Sequence, residues 1–349
     1  MNAITSVRPT RRATATAAAL LCALTAQAQT AARDDEDKSV EKVIVTAQKR
    51  EQAAIDVPAS VSTVSADRLS RSGLVRMEDY AAQVPGMTVT TLSRGSTSVV
   101  LRGISTGISQ ATPSTAYYID EAPIGSITAY ATGSTLTPDL DPYDLRRIEV
   151  LKGPQGTMYG AGAVGGLLRY VTTPPDAERF GGSISLGGNK VAHGGDGYEA
   201  RAALNIPLAN KSMGLRVSLL DRTEAGYIDN PKLKLSDVNK ATNRGGRIAW
   251  NWTLSPDWSV QAWALTQKFH TGGIGSQDVN GPSLTPVTTE LERISNIEES
   301  QDRKLDVVNA TVRGRLGDFA LVSSTTYQTV KAETNVDVTS SLGTLFSLC

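Results

Sequence analysis

Three glycines, Gly160, Gly162 and Gly165, form a G-x-G-x-x-G pattern. This spacing binds a dinucleotide phosphate when it directly follows a strand and opens a helix. Here a turn-like stretch, Gly153 to Tyr159, separates the glycines from the preceding strand. The residues after them, Leu167 to Thr172, are rich in β-branched and aromatic types and predict another strand. We therefore expect these glycines to serve turns and close backbone packing, and not a nucleotide.

No other residue spacing points to catalysis or to a metal centre. The two histidines, His193 and His270, are far apart, and both lie in or beside predicted loops. No His, Cys or carboxylate spacing matches a metal cage, and no nucleophile–base signature is present. The sequence therefore predicts a protein that is not an enzyme and has no metal or cofactor of its own.

Composition excludes further classes of protein. Basic and acidic residues balance at 35 each, so no global field favours nucleic acid as a partner. No apolar run is long enough for a membrane-spanning helix. Strands of a membrane barrel give a much weaker signal per segment, so a barrel stays possible.

The first 28 residues predict a secretory signal peptide. Arg8, Arg11 and Arg12 supply the positive region, and an apolar stretch follows them. Ala26-Gln27-Ala28 then fits an A-x-A cleavage site. Cleavage would leave Cys349 as the only cysteine, so no intrachain disulfide can form.

The stretch Asp141 to Pro175 has the most specific pattern in the chain. It predicts a buried strand (Arg147 to Leu151), a glycine-rich turn, a second glycine cluster, a further strand (Leu167 to Thr172) and a Pro-Pro stop. This order resembles the signature of the plug domain of TonB-dependent outer-membrane receptors. The resemblance implies structural roles for the glycines of the motif, namely Gly153, Gly156, Gly160, Gly165 and Gly166.

The residues before this stretch fit the same family in order. A strand is expected from Val57 to Val64, followed by a helix with Ser65 as its N-cap. The remaining elements are a helix over Met77 to Gln83, strands over Met87 to Leu92, Ser98 to Arg102 and Tyr117 to Asp120, and a turn over Asp120 to Pro123. We expect a mixed α/β plug domain over residues 51–178.

The segment before the plug is expected to be flexible over residues 29–50, and it contains one short β-prone run. On its own, such a run is more often an edge strand. Its position resembles that of a TonB box, which the energising TonB protein grips from the periplasm. An unpaired strand would suit that role, because it offers main-chain groups to another protein's sheet edge. The residues are Glu41, Lys42, Val43, Ile44, Val45, Thr46 and Ala47.

After Pro175 the pattern changes to long alternating strands, for example Tyr198 to Leu208, Arg247 to Leu254 and Val308 to Leu316. Alternation alone fits a soluble half-buried sheet as well as a barrel. Short turns alternate with longer loops, however, and this favours an antiparallel transmembrane β-barrel over residues 179–349. Three tryptophans near one turn fit an interfacial girdle, or alternatively core packing: Trp250, Trp252 and Trp258.

The predicted barrel is incomplete. We count about seven strands, whereas plugged outer-membrane transporters close with 22. An open sheet edge in lipid would leave about ten backbone groups unpaired, at several kcal/mol each. We therefore expect this chain to be the N-terminal part of a longer protein.

The resemblance implies TonB-dependent import of a scarce nutrient, by default a ferric siderophore, across the outer membrane. The expected partners are TonB, the iron–siderophore complex and outer-membrane lipid. The ligand should contact outward loops of the plug, with Arg94, Gln110 and Tyr130 as candidates. Haem, bound through a loop histidine, is an alternative ligand. A truncated periplasmic binding or signalling module without transport is an alternative function.

Overall fold

A computed structural model of the chain describes residues 44–46, 49, 52–93, 96–106, 113–125, 139–209, 211–280 and 282–339. Two bodies of structure follow one another along the sequence. The described residues between 44 and 172 form a small mixed α/β body, called the globule here. Residues 181–335 form an antiparallel sheet of long strands, called the long sheet.

The globule is built from short elements. They are β1 (Ile44–Val45), β2 (Gln52–Ala53), β3 (Ser60–Ser65), α1 (Ala66–Arg71), α2 (Met77–Ala81), β4 (Met87–Ser93), β5 (Ser96–Leu101), β6 (Thr115–Ile119), β7 (Ala122–Ile124), β8 (Leu145–Lys152), α3 (Gly156–Tyr159) and β9 (Gly166–Thr172). Its main sheet has the order β3-β8-β9-β6-β7, in which only β6 and β9 are parallel. β1 pairs with β2, and β4 pairs with β5.

Local sequence signals explain where the helices begin. Ser65 caps α1, and its side chain accepts a hydrogen bond from the backbone N–H of Arg68 at 3.4 Å. In α2 the third residue, Asp79, accepts from the N–H groups of Val75 and Arg76, which precede the helix. The expected N-cap at Ser65 is confirmed.

Two expectations about local elements need correction. The strand expected from Val57 begins only at Ser60, because a 3-10 turn (Ala54–Asp56) and its exit occupy the residues before it. The turn expected over Asp120 to Pro123 ends earlier, and Ala122–Ile124 pairs back on Tyr117–Ile119 as a strand. A strand of three residues is too short to be recognised from the sequence.

The core of the globule is centred on its two middle strands, β8 and β9. Ile148, Val150, Leu168 and Tyr170 are fully buried there, because neighbouring elements cover both faces of these strands. The hydroxyl of Tyr170 lies 3.0 Å from that of the equally buried Tyr80. Burial raises the pKa of both tyrosines well above the usual value, so both remain neutral hydrogen-bonding groups.

The glycine motif connects β8 to β9. Gly153 and Gly160 adopt φ values of 104° and 71°, which favour glycine. Gly165 donates its N–H to the carbonyl of Ser114 at 2.8 Å. Gly166 has a φ of 147°, and a Cβ built on it would collide with the carbonyl oxygen of Leu151 and a methyl group of Leu101. As expected, the residues after the G-x-G-x-x-G pattern form a strand and not a helix.

The long sheet has seven strands among the described residues, each hydrogen-bonded to the next in sequence. They are β10 (Gly181–Lys190), β11 (Asp196–Leu208), β12 (Met213–Glu224), β13 (Ala241–Ser255), β14 (Trp258–Thr271), β15 (Ser300–Leu316) and β16 (Phe319–Asn335). Short turns at 209–212, 256–257 and 317–318 alternate with longer connections at 225–240 and 272–299. No helix in the described part of the chain is long and apolar enough to cross a membrane.

Strand residues of the long sheet alternate between two faces. The face toward the globule carries buried polar side chains such as Arg201, Asn205 and Arg247. The opposite, outward face carries exposed apolar side chains such as Leu219 and Ile248. An antiparallel sheet with an apolar outer face and a polar inner face therefore follows the globule.

Two aspartates of the globule attach it to the long sheet. Asp141 accepts hydrogen bonds from Arg201 and Arg222 at 2.7 to 3.0 Å. Asp144 accepts from Arg216 at 2.7 Å and from Arg247 at 3.0 Å. Asp141 is the N-cap of the 3-10 turn Pro142–Asp144, and Asp144 is its last residue. From Val45 onward the chain clusters as one compact unit, and these ion pairs lie at the junction of its two parts.

A third carboxyl group at this junction is less well matched. Oδ1 of Asp139 is shielded from solvent and has no hydrogen-bond partner in the described part of the chain. Burial raises the pKa of Asp139 to about 7, Arg222 opposes the rise, and Glu78 and Glu224 reinforce it. The folded protein therefore holds a proton on Asp139 up to nearly neutral pH.

Gly166→Ala should destabilise the protein by at least about 2 kcal/mol, because alanine is strained at this φ and its methyl group meets backbone. Gly156→Ala is the matched control, since a Cβ there has no neighbour within 4 Å. Thermal unfolding of both variants in detergent tests the prediction. Equal unfolding temperatures would contradict the close approach of Gly166 to Leu151.

Asp139→Asn should change how stability depends on pH. An unfolded aspartate loses its proton near pH 4, whereas the folded one keeps it to about pH 7. The folded state thus binds more protons in this window, and stability falls as the pH rises through it. Because the residue is partly exposed, we expect a gain on the order of 2 kcal/mol for the variant at pH 8 and little difference at pH 4. Asp318→Asn, in a short turn, is the control, and parallel pH profiles of the wild type and Asp139→Asn would refute the proton on Asp139.

Candidate functional site

Seven of the ten residues proposed from sequence as partner or ligand contacts lie outside the described residues. This holds for the loop candidates Arg94, Gln110 and Tyr130, and for Glu41, Lys42, Val43 and Ala47 of the 41–47 segment. The other three residues of that segment, Ile44, Val45 and Thr46, are described and lead to the site. The described part of the segment is not an unpaired strand, because β1 pairs with β2 and Val45 is fully buried.

Thr46 is held by two charged side chains from the middle of the globule's sheet. Its backbone N–H donates to Oε1 of Glu149 on β8 at 3.1 Å. Nη1 of Arg169 on β9 donates to the carbonyl oxygen of Thr46 at 2.8 Å and to its hydroxyl at 2.6 Å. Both backbone groups of Thr46 are therefore used, and its side chain adds a charge-assisted hydrogen bond.

Arg169 is the centre of this site. Its side chain is only 3% exposed, and Nε donates to the backbone carbonyl of Asp120 at 2.8 Å. Nη2 donates to Glu121 at 2.9 Å, and Nη1 lies 3.6 Å from Glu149. Burial disfavours the positive charge, but the two glutamates outweigh it and raise the pKa of Arg169. A buried guanidinium with its donors satisfied in this way is costly to disrupt.

Glu121 carries the network further in two directions. Oε2 accepts from Lys49 at 2.9 Å, a residue just beyond the 41–47 segment. Oε1 accepts from Arg313 on β15 of the long sheet at 3.3 Å. Burial disfavours the ionised carboxylate, but Arg169 and Lys49 overcome this effect and lower the pKa of Glu121. The carboxylate therefore joins the N-terminal segment to the long sheet.

Two tyrosines complete the environment of Lys49. Its ammonium lies 4.4 Å from the ring centre of Tyr159 and 5.1 Å from that of Tyr118, within the range of a cation–π contact. The two rings meet edge to face at 5.1 Å, and Tyr118 donates its hydroxyl to the carbonyl of Tyr159 at 2.8 Å. Lys49 is thus held by one ion pair and two aromatic faces.

A second route connects Arg169 to the long sheet. The backbone carbonyl of Asp120 accepts a hydrogen bond from Arg169. The carboxylate of Asp120 accepts hydrogen bonds from the backbone N–H and the hydroxyl of Thr172. The same hydroxyl accepts from Arg247 on β13 at 2.6 Å. Displacement of Thr46 would therefore act on a network that reaches two strands of the long sheet.

The arrangement suits holding and releasing a peptide segment. Within the described residues, no group of three or more His, Cys, Asp or Glu side chains is placed to hold a metal ion. His270 pairs with Asp302 at 2.8 Å on the outward face of the long sheet, away from Thr46. The geometry brings together Thr46, Glu149, Arg169, Glu121 and Lys49.

Sequence reasoning did not identify four of these five residues as parts of a site. A signal was present, because Glu149 and Arg169 are the charged residues within two apolar strand runs, Ile148 to Leu151 and Leu167 to Val171. A charge in a strand that is buried on both faces needs a buried partner. The sequence does not say that the partner is the backbone of Thr46, more than 100 residues away.

Comparison with known proteins assigns the globule to a family. The family described as TonB-dependent Receptor Plug Domain matches residues 53–167. The pesticin receptor of Yersinia pestis is 27% identical over 279 residues, which cover 76% of this chain and 38% of the receptor. The vitamin B12 transporter BtuB of Vibrio vulnificus is 26% identical over 235 residues, or 66% of this chain and 36% of the transporter. The chain thus spans well under half the length of these relatives.

A solved structure shows the same fold. The ferric yersiniabactin uptake receptor FyuA from Yersinia pestis superposes with a TM-score of 0.61 and 22% sequence identity, covering 78% of this chain and 41% of that chain. The similarity includes both the globule and the long sheet that follows it. The family match identifies residues 53–167, within the globule, as a TonB-dependent receptor plug domain, and the chain as a whole shares the fold of that receptor.

Proposed function

We propose that the protein imports a scarce nutrient across the outer membrane of a Gram-negative bacterium, driven by TonB. The 41–47 segment serves as the TonB box. The main support for this proposal is that Thr46 is hydrogen-bonded directly to the buried Glu149–Arg169 pair of the plug. A pull on the segment would act on the middle of the plug's sheet and not on its surface.

The contacts suggest an order of events. Thr46 leaves first, because both charged residues that hold it have other partners, Arg147 for Glu149 and Glu121 for Arg169. The released segment then offers its main chain to the edge of a TonB sheet. Continued pulling then transmits force to Lys49. Lys49 contacts Glu121, which in turn contacts Arg313 of the long sheet. The plug thus receives force where it meets the surrounding sheet.

The proposed cargo is a ferric siderophore. Iron uptake is supported by the fold shared with a ferric yersiniabactin receptor, although the relative named for vitamin B12 keeps a second cargo class open. Arg94, Gln110 and Tyr130 remain the proposed ligand contacts, since a guanidinium can pair with anionic siderophore oxygens. The proposed organisation is a signal peptide over 1–28, a box-bearing segment over 29–50, the plug over 51–178 and barrel strands over 179–349.

Deletion of residues 41–47 should abolish energised uptake and leave ligand binding intact, because the deletion removes the segment that is pulled and no proposed ligand contact. Uptake of ⁵⁵Fe bound to siderophores secreted by the host measures the first effect, and binding of the same complexes to de-energised cells measures the second. Deletion of residues 30–36 is the control. Normal uptake after loss of 41–47 would disprove the TonB-box assignment.

The alternative, a periplasmic binding module without transport, makes a different prediction. It requires a soluble product in the periplasmic fraction that binds ligand without a barrel. Immunoblots of outer-membrane and periplasmic fractions separate the two functions. A product found in the outer membrane alone would exclude the module.

Thr46→Val should loosen the 41–47 segment, while the valine side chain keeps the shape of the threonine side chain. The variant loses the hydrogen bond from Arg169 to the threonine hydroxyl, and a bond to a charged group contributes about 1.5 kcal/mol or more. We expect the released fraction to rise about tenfold. A spin label at Ile44→Cys, in a Cys349→Ser background, reports that fraction in its mobile spectral component. Thr88→Val, on the exposed side of β4, is the control, and equal spectra for the two variants would show that Arg169 does not hold the segment.

A further inference from the structure

A cavity of about 760 Å³ lies at the short-turn end of the long sheet, and none of the residues that contact Thr46 lines it. One wall is the connection from the plug to the long sheet, residues 173–180. Another wall is the inner face of β10 to β12, where Ser183, Asn205 and Arg216 line the cavity. The volume lies within the range of about 300 to 1,000 Å³ that is typical of small-molecule sites. We call this space the connection cavity.

Three arginines line the connection cavity. Arg216 on β12 pairs with Asp144 of the plug at 2.7 Å. Arg146 on β8 and Arg179 on the connection form no ion pair within the described residues, and both are exposed. A guanidinium group can bind a carboxylate through two parallel hydrogen bonds. Two unpaired guanidinium groups beside one cavity therefore favour an anionic ligand.

Among the described lining residues, the only carboxylate belongs to Asp176. Its Oδ1 accepts hydrogen bonds from the backbone N–H of Glu178 at 2.8 Å and from that of Arg179 at 3.1 Å. These hydrogen bonds, with a smaller contribution from the charge of Arg179, lower the pKa of Asp176. The carboxylate is thus ionised and already used by the turn, and one carboxylate beside three arginines leaves the lining positive.

The connection is held in place without a ligand. The side-chain amide of Asn205 donates to the carbonyl groups of Asp176 at 2.8 Å and Arg179 at 2.6 Å, and its oxygen accepts from the N–H of Asp176 at 2.8 Å. Asn251 donates to the carbonyl of Pro175 at 2.8 Å. Because this backbone is fixed, a ligand has to order only the arginine side chains, which lowers the entropic cost of binding.

We propose that the connection cavity binds a small molecule with two or more carboxylate groups. One carboxylate lies between Arg146 and Arg179. A second reaches Arg216, whose guanidinium has further N–H groups besides the Nε that donates to Asp144. The spacing of three arginines around one cavity favours such a molecule over a single small anion.

The position of the cavity suggests where the ligand comes from. Short turns mark the periplasmic side of an outer-membrane barrel, so the connection cavity faces the periplasm, opposite the proposed cargo contacts of the plug. The ligand is the cargo after its passage, held by its free carboxylates. This assignment to the cargo rests on the proposed function, whereas the binding of a polycarboxylate does not.

Citrate, a tricarboxylate, is the probe for the site. An environment-sensitive fluorophore is attached at Glu178→Cys, beside the cavity, in the full-length protein without other cysteines and in non-ionic detergent. Citrate should give a saturable change, and Arg146→Gln with Arg179→Gln should weaken its binding about 30-fold. Arg315→Gln, an exposed arginine at the same end of the sheet, is the control. Unchanged affinity in the double variant would overturn the arginine site.

Gly181→Leu tests the space of the cavity without changing its charge. Gly181 lines the cavity, and a Cβ there would meet nothing within 4 Å, so the fold should tolerate the substitution. We expect citrate binding to weaken at least about fivefold, because the leucine occupies the space of the ligand. Gly188→Leu, on the outward face of the same strand, is the control. Equal citrate affinity of the two variants would show that citrate binds elsewhere.

Two further titrations test the ligand class and its source. Inorganic phosphate should bind more weakly than citrate, and equal affinities would overturn the preference for a polycarboxylate. Iron–siderophore complexes secreted by the host should change the fluorescence, also in Arg94→Gln, and no response to them would overturn the assignment to the cargo. Normal uptake after deletion of 41–47 would instead refute the TonB-driven function without affecting the citrate titration, so the failures are distinguishable.

Discussion

The buried guanidinium of Arg169 is the interaction on which the rest of the structure depends. It contacts the backbone of Thr46, the carbonyl of Asp120 and the carboxylate of Glu121. A charge in this position is stable only while its partners stay in place. The N-terminal segment, the turn between β6 and β7, and the middle of the plug's sheet are therefore fixed by one side chain. A force that removes Thr46 takes two hydrogen bonds from Nη1 of Arg169 and leaves it only the more distant carboxylate of Glu149, at 3.6 Å.

The plug contacts the long sheet through both ion pairs and apolar packing. Trp263 and Val307 of the sheet are buried in the same apolar cluster as the core of the plug. Five arginines of the sheet pair with carboxylates of the plug, namely Asp141, Asp144 and Glu121. Hydrogen-bonded ion pairs can exchange partners or accept water, so the polar part of this contact would suit the plug movement that the proposed import requires. The unmatched carboxyl of Asp139 at the same junction adds a dependence on protonation.

The two faces of the long sheet have different surroundings. Polar inward residues such as Arg247 contact the plug, whereas outward residues such as Ile248 and Leu254 are apolar and exposed, as expected beside lipid. Charged residues such as Lys268 return to the outward face near the long loops. One alternating pattern thus carries the plug contacts on its inner side and apolar side chains on its outer side.

Sequence alone determined the elements with strong local signals. The N-cap at Ser65, the strands on both sides of the glycine motif and the alternation over Tyr198 to Leu208 all follow from neighbouring residues, because caps, turns and period-two patterns are local physics. The strand at Ala122–Ile124 was not predictable, since its pairing with β6 gives it its structure.

Tertiary structure decided the site. The Thr46 contacts with Glu149 and Arg169 span more than 100 residues. Three strand registers likewise decide that four basic residues lie side by side, namely Arg244, Lys268, Lys304 and Lys331. Sequence shows that a buried charge needs a partner, and that an exposed lysine lies on a strand. It does not show which distant groups meet, because strand register and chain packing are properties of the whole fold.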